Sequence, residues 1–228
     1  MECMSNVAII GCSYTDIHQY KRPNTETENW TYKLAKKYPQ HQFRNYAKQA
    51  TGVEYFRVVF DECYDWADYI LIQTTHMQRR SVFIIGENID ESLEWTEHEI
   101  SDNLMYMTNN GTLVTMSPGN VAIQGYNANK LDQKIWNQAG PMLVANTISD
   151  DISRKWIQRV RTDPKVAILN FEPDTADSVW NIFGADDAEW VSNGYVYAQD
   201  DHHFTDKGHT HVMENYILKT KVEEMLKV

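Results

Sequence analysis

The chain has 228 residues and a formal net charge of −11, which argues against a nucleic-acid backbone as its main partner, because phosphate binding requires a basic face. Its hydrophobic content of 42%, with 12% aromatic residues, is sufficient for a packed core and excludes a largely disordered chain. The length suits one sizeable α/β domain, and we interpret residues 1–228 as a single domain.

The first part of the chain alternates short apolar runs with amphipathic segments. Residues 6–10 predict a buried strand that ends at Gly11. The alternation continues with a helix at 30–38, a strand at 43–46, a helix at 53–64 and the clearest strand of the chain at 69–73. We interpret residues 78–127 as an insertion over the core that serves as a lid or a specificity surface, with a strand at 81–85 and a helix at 94–107.

Helices and strands also alternate in the rest of the chain. We predict a helix at 127–139, a second from Pro141 to about residue 160, a strand at 165–169, a short helix at 176–183 and a strand at 190–197. The second of these helices has an expected buried stripe, which comprises Val144, Ile148, Ile152, Trp156 and Val160. Thr205 is the expected N-cap of a last helix that runs to about residue 226 and turns inward Val212, Met213, Tyr216 and Ile217. This order of elements predicts a parallel sheet covered on both faces.

Two segments at opposite ends of the chain carry the candidate chemistry. Ser13 follows the first predicted strand and Gly11, at the carboxyl end where open α/β sheets place their sites. Asp200 stands three residues before His203, so that its carboxylate can orient the imidazole, and Asp201 is a reserve for that role. Because a serine nucleophile requires a base and the base requires an orienter, the two segments together supply the parts of one site.

Further polar groups are expected at the same edge of the sheet. Gly52 begins the second predicted helix and offers a backbone N–H to a developing oxyanion. Thr74, Thr75 and His76 follow the third strand directly, and each carries a candidate hydrogen-bond donor. Since the carboxyl ends of parallel strands meet at one edge, these segments are predicted to converge on Ser13.

The C-terminal segment also permits a metal site. Histidine and carboxylate side chains both bind transition metals. Two aspartates of this segment lie close in sequence to four histidines, which are His202, His203, His209 and His211. These histidines make a metal-dependent hydrolase an alternative to the serine site. On a helix, however, residues two positions apart, such as His209 and His211, point to different sides, which weakens this alternative.

Several of these motifs resemble those of the SGNH (GDSL-type) hydrolase superfamily, and the spacing fits across essentially the whole chain. Its first block, G-D-S, is similar to Gly11-Cys12-Ser13, and the G-C-S-Y-T form here resembles members often carried by bacteriophages. The glycine of the second block matches Gly52. The last block matches Asp200, His203, Thr205 and Gly208. The third block departs from the G-x-N pattern, since residues 74–76 are T-T-H, which places His76 at the asparagine position.

The resemblance implies a flavodoxin-like fold of three α/β/α layers around a mostly parallel, five-stranded sheet. It implies an esterase or O-deacetylase that needs no cofactor, in which Ser13 is the nucleophile, His203 the base and Asp200 the orienter. The oxyanion would then be held by the backbone N–H groups of Ser13 and Gly52, with His76 or a threonine such as Thr74. Candidate substrate contacts are Tyr14 and Arg79. A non-catalytic relative that binds a glycan or a protein is a further alternative, motivated by the altered third block and by residues 78–127.

The sequence also yields expectations about location and partners. The three cysteines form no C-x-x-C pair, which is typical of reduced thiols in a cytosolic protein. The apolar run at 7–10 is too short for a signal sequence, and no run approaches the roughly 20 residues that span a bilayer. We therefore expect a cytoplasmic protein without a membrane or nucleic-acid partner, whose substrate is a small-molecule or glycan ester. The oligomeric state is left open.

Overall fold

A six-stranded, mostly parallel sheet forms the centre of the computed structural model, which describes residues 4–17, 29–75, 79–84, 93–117, 120–124, 147–169, 187–198 and 201–227. The strands in chain order are β1 (Asn6–Ile10), β2 (Gln42–Asn45), β3 (Tyr69–Gln73), β4 (Arg80–Ile84), β5 (Trp95–Ser101), β6 (Leu104–Asn109), β7 (Thr112–Ser117), β8 (Asn120–Gln124), β9 (Val166–Leu169), β10 (Val196–Ala198) and β11 (Asp201–Phe204). The helices are α1 (Trp30–Lys37), α2 (Val53–Cys63), α3 (Thr147–Val160), α4 (Asp187–Ser192), α5 (Asp206–Asn215) and α6 (Lys221–Leu226), with a 3-10 helix at Ile217–Lys219.

Strand β1 lies inside the sheet, whose order is β5-β6-β2-β1-β3-β9. β1 pairs in parallel with β2 and β3, β2 pairs in parallel with β6, and β3 with β9. Only β5, of these six strands, runs antiparallel to its neighbour. The predicted mixed α/β architecture with a mostly parallel sheet flanked by helices is confirmed. The predicted count of five strands is wrong by one, because β5 adds an antiparallel strand at the edge.

Alternate side chains of β1 pack into two separate halves of the core. Val7 and Ile9 belong to the half that contains α1 and the C-terminal helices α5 and α6. Ala8 and Ile10 belong to the half that contains α2 and α3. All four side chains are fully buried. Burial on both faces explains why this strand is a continuous apolar run rather than an alternating one.

The described strands of the segment 78–127 are divided between two sheets. β5 and β6 form a hairpin that joins the main sheet through β2, whereas β4, β7 and β8 form a separate three-stranded antiparallel sheet. The predicted strand at 81–85 is confirmed by β4. The predicted helix at 94–107 is wrong, because the pairing of β6 with β2 buries Leu104 and Tyr106 at the two-residue spacing of a strand.

Two predicted elements of the second half also differ from the structure. On α3, Trp156 and Val160 are buried as predicted, but Ile152 is 50% exposed, so the buried stripe does not extend to that position. The predicted strand at 190–197 begins as helix α4, and only its last residues belong to β10. The predicted helices at 127–139 and 176–183 lie outside the described residues.

The last predicted helix is interrupted. α5 ends at Asn215, and α6 begins after Thr220, whose side-chain oxygen accepts a hydrogen bond from the Val222 N–H and so starts a new helix. The three predicted inward side chains that are buried are Val212, Met213 and Ile217, whereas Tyr216 is partly exposed. Among the described residues, no helix is both long and apolar enough to cross a membrane.

Candidate active site

Ser13 and His203 are in contact although 190 positions separate them in the chain. The His203 Nε2 atom lies 3.1 Å from Ser13 Oγ. This distance is within the range of about 2.6–3.2 Å that a nucleophile and its base require. Ser13 is buried in the turn that follows β1, and His203 lies on β11. The turn and the strand thus bring together a hydroxyl and an imidazole at the carboxyl end of a strand inside the sheet.

The position of His203 is fixed by the start of α5. Thr205 is the N-cap of this helix, as predicted, and its Oγ1 accepts a hydrogen bond from the Gly208 N–H at 3.1 Å. The Thr205 N–H in turn donates to the carbonyl of Tyr195, next to β10, at 3.0 Å. The chain is therefore anchored two residues after the imidazole, which limits how far the ring can move from Ser13.

The turn after β1 leaves one backbone donor of Ser13 open. The Cys12 carbonyl accepts hydrogen bonds from the N–H groups of Thr15 and Asp16, both at 3.0 Å. In a trans peptide the Ser13 N–H points away from that carbonyl, and no peptide bond described is cis. Within the described residues, no acceptor meets the Ser13 N–H. A free N–H beside the nucleophile is the donor that an oxyanion needs.

Gln73 is a site residue that the sequence reasoning missed. It ends β3, and its side chain is fully buried. Its Oε1 atom accepts from the Cys12 N–H at 3.0 Å, from Thr15 Oγ1 at 3.0 Å and from Cys12 Sγ at 3.4 Å. Its Nε2 atom donates to the carbonyl of Thr74. The only signal in the sequence is one polar residue at the end of an otherwise apolar strand.

The loop after β2 is tied to the same turn. The Asn45 side chain donates to the carbonyl of Thr15 at 2.9 Å and accepts from the Ala47 N–H at 2.8 Å. The Lys48 N–H and the Thr51 hydroxyl both donate to the Gly11 carbonyl, at 3.1 and 3.2 Å. These bonds link β1 and β2 where the chain leaves the sheet, so the two loops form one unit around Ser13.

The Gly52 N–H, a predicted oxyanion donor, is already engaged in this structure. It donates to Ser81 Oγ of β4 at 2.7 Å, and Ser81 Oγ lies 3.0 Å from the hydroxyl of Thr115 on β7. A Cβ atom at Gly52 would lie 2.6 Å from the carbonyl oxygen of Arg79, so the backbone just before β4 approaches this glycine closely. An oxyanion reaches this donor only by replacing the serine hydroxyl.

The residues that follow β3 are also engaged. The Thr74 hydroxyl donates to the carbonyl of Leu169 at 3.3 Å, and the Thr75 hydroxyl accepts from Arg79 Nη1 at 2.8 Å. Both threonines are fully buried. Arg79 as a whole is partly exposed, and Thr75 holds its guanidinium through Nη1.

Tyr14, a predicted substrate contact, lies against the imidazole. Its ring centroid is 5.1 Å from that of His203 and 5.5 Å from that of Phe204. Its carbonyl accepts a hydrogen bond from Trp30 Nε1 at 3.2 Å. The tyrosine ring thus forms one wall beside the base. Two other predicted site residues, His76 and Asp200, lie outside the described residues, and of Asp201 only its place in β11 is described.

The buried carboxylate of Asp16 ties the turn after β1 to neighbouring segments. Asp16 accepts a hydrogen bond from the Gln49 N–H at 2.9 Å and one from the Tyr106 hydroxyl of β6. Burial and this carboxylate raise the pKa of Tyr106. Burial lowers the pKa of Lys48, and the charge of Asp16 opposes that change. Asp16 therefore connects the loops after β1 and β2 with β6.

The histidines of the metal alternative do not gather in the described part of the chain. The His209 ring packs edge-on against Phe204 with centroids 5.3 Å apart, and the His211 ring stacks on Tyr195 at 4.0 Å. The described residues contain no group of three or more histidine, cysteine or acidic side chains arranged to hold a metal ion. Both rings serve aromatic packing around β10 and β11.

His209 makes the stability of the fold depend on pH. Its Nδ1 atom is buried and has no hydrogen-bond partner among the residues that the structure describes. Burial lowers its pKa to about 3, the charges of Lys33 and His203 act in the same direction, and Asp206 opposes them. Since the unfolded imidazole has a pKa of about 6.5, the unfolded chain binds the proton first as the pH falls. The stability that neutral His209 provides is complete above pH 6.5 and is lost towards pH 3.

We expect wild-type protein to lose about 2 kcal/mol more of its free energy of unfolding than His209→Gln between pH 7 and pH 5, because one proton contributes at most about 1.4 kcal/mol per pH unit. Urea denaturation at the two pH values measures both proteins. His98→Gln, at an exposed histidine of β5, is the control and should follow wild type. Equal losses in wild type and His209→Gln would contradict the expectation.

Comparisons with known proteins add no family assignment. Neither a scan against protein-family models nor a search of curated proteins finds a match for this chain. Any inference about function therefore depends on the geometry of the site itself.

Proposed function

We propose that this chain is a serine hydrolase that cleaves esters, with Ser13 as the nucleophile and His203 as the general base. The observation that carries the proposal is the 3.1 Å contact between Ser13 Oγ and His203 Nε2. Its place adds support, because the carboxyl edge of a parallel sheet is where open α/β folds hold their sites. The sheet with helices on both faces is also compatible with the three-layer, flavodoxin-like architecture of the SGNH superfamily.

In the proposed reaction, Ser13 Oγ attacks the ester carbonyl while His203 Nε2 accepts its proton. The tetrahedral intermediate expels the alcohol, which takes that proton from His203, and leaves an acyl group on Ser13. Water, deprotonated by His203, then releases the acid and regenerates the serine. Asp200 is the proposed orienter of the imidazole and Asp201 its reserve. The proposed substrates are small-molecule or carbohydrate-linked esters, so the enzyme is an esterase or O-deacetylase, and the reaction needs no cofactor.

The proposed oxyanion hole centres on the Ser13 N–H, which has no acceptor among the residues described. Gly52 joins it only when the oxyanion displaces the Ser81 hydroxyl from its N–H. The Thr74 hydroxyl already donates to the Leu169 carbonyl, whereas the Thr75 hydroxyl accepts from Arg79 and keeps its own proton to donate. The proposed side-chain donor is therefore His76, at the asparagine position of the third block, or the neighbouring Thr75. Arg79 is the proposed contact for an anionic part of the substrate.

A fluorophosphonate probe tests the proposal, because it forms a covalent bond with an activated serine and expels fluoride. We expect folded protein to take up one probe per chain, on the peptide that contains Ser13, and Ser13→Ala to take up none. Ser153→Ala, which removes another buried serine on α3, is the matched control and should label as wild type does. Folded wild type that takes up no probe would contradict the proposal and favour a non-catalytic binding module.

A further inference from the structure

The peptide group before Cys12 is held on both sides. Its carbonyl, on Gly11, accepts from the Lys48 N–H and the Thr51 hydroxyl, and its N–H donates to Gln73 Oε1. The first two donors come from the loop after β2, whereas Gln73 belongs to β3. Within the described residues, the side-chain amide of Gln73 thus ties the end of β3 to the backbone one residue before the nucleophile.

The next peptide group depends on this link. Its carbonyl, on Cys12, accepts from two N–H groups of the turn, and its own N–H, on Ser13, meets no acceptor in the described part of the chain. Rotation at Cys12 moves the Ser13 hydroxyl and this N–H together. Hydrogen bonds in series polarise one another, and here the series runs from the Lys48 N–H through the Gly11–Cys12 peptide group to Gln73, so the bonds on its two sides strengthen each other.

Gly11 packs closely against the Gln73 amide and against Thr15 of the turn. A Cβ atom at Gly11 would lie 2.9 Å from Gln73 Oε1 and 2.7 Å from Thr15 Cβ. Such distances leave no space for a water molecule between Gly11 and the amide. An apolar side chain at position 73 therefore leaves the Cys12 N–H without an acceptor in a dry site, and the turn must shift to satisfy it.

We propose that Gln73 is a positioning residue of the catalytic serine. It acts through the Cys12 N–H, and it sets both the Ser13–His203 distance and the direction of the Ser13 N–H. The inference rests on the proposed function, because it concerns the same nucleophile. It goes beyond that function by assigning a role in catalysis to a β3 side chain that does not touch the reacting atoms.

The test compares Gln73→Met, which keeps an unbranched side chain of similar length, with Asn103→Leu. Asn103 is also a buried amide, and its Nδ2 donates to the carbonyls of Ala35 and His41 at 2.9 and 3.1 Å. It directly precedes β6, at the amino ends of the parallel strands, whereas Ser13 lies at their carboxyl ends. Both variants lose buried hydrogen bonds, but only one loses them beside the nucleophile.

We expect Gln73→Met to lower the rate constant of fluorophosphonate labelling and the kcat for an acetate ester by about 10- to 100-fold, with KM unchanged, because small displacements of reacting groups have effects of this size. Labelling of folded Gln73→Met should still reach one probe per chain, only more slowly. Asn103→Leu should label at the rate of wild type, even if its melting temperature falls by as much as that of Gln73→Met.

Thr15→Val provides a second variant if Gln73→Met does not fold. It removes one donor to Gln73 Oε1 without a change of shape, and we expect a two- to fivefold lower labelling rate. Wild-type labelling rates in Gln73→Met or in Thr15→Val would overturn the positioning role while the proposed function stands. Absence of labelling in wild type would overturn the proposed function instead.

Discussion

Replacing His203 by alanine is expected to lower kcat/KM for 4-nitrophenyl acetate by about 10⁴-fold, and Ser13→Ala should lower it by at least as much. The reason is the 3.1 Å contact between the two side chains. Without the imidazole the serine hydroxyl keeps its proton at neutral pH and is a poor nucleophile. Steady-state hydrolysis measures the effect, and the melting temperature of each variant shows whether it has folded.

The double variant separates a catalytic pair from two independent contributions. If Ser13 and His203 act as one unit, Ser13→Ala/His203→Ala should lose no more activity than the more damaged single variant. His98→Ala is the matched control, since it removes an exposed histidine of β5, and its kcat/KM should equal that of wild type. Losses that multiply in the double variant, or a His203→Ala enzyme with more than a tenth of wild-type activity, would contradict the pairing.

The parts of the fold that the sequence predicts well are those with strong local signals. Strands β1 and β3 are apolar runs that end in polar turns, and α2 has its buried positions at helical spacing. Ser13 directly follows one of these elements, and the N-cap Thr205 follows His203 closely, so local patterns suffice to place both beside well-defined elements. Their contact does not follow from pairing in the main sheet, because His203 lies on β11 of the separate two-stranded sheet.

The parts that the sequence does not predict depend on distant partners. Residues 94–107 become β5 and β6 because β2 is available for pairing, and β2 is more than 50 residues earlier in the chain. The bond that occupies the Gly52 N–H comes from Ser81, which no pattern around Gly52 indicates. Gln73 is likewise an ordinary polar residue until a turn 61 positions away places the Cys12 N–H against it. Such contacts exist only after the chain has folded.

Gly208→Ala is expected to reduce the free energy of unfolding by about 3 kcal/mol, at the upper end of the usual cost of overpacking. A Cβ atom at this position would lie 2.8 Å from the carbonyl carbon of Tyr195 and closer still to its oxygen. The obstacle is backbone rather than a flexible side chain, and the same carbonyl accepts the Thr205 N–H. The clash therefore has to be relieved by moving α5 away from β10. Urea denaturation measures the change.

Gly194→Ala is the matched control, because Gly194 has space but an unfavourable backbone. Its φ is +68°, and a Cβ atom there would meet no atom within 4 Å, so we expect a loss of about 1 kcal/mol from the left-handed conformation alone. Since α5 begins three residues after His203, the displacement in Gly208→Ala should also slow fluorophosphonate labelling of the molecules that remain folded. A Gly208→Ala protein no less stable than Gly194→Ala would show that α5 and β10 can separate freely, and His203 would then need another anchor to stay within reach of Ser13.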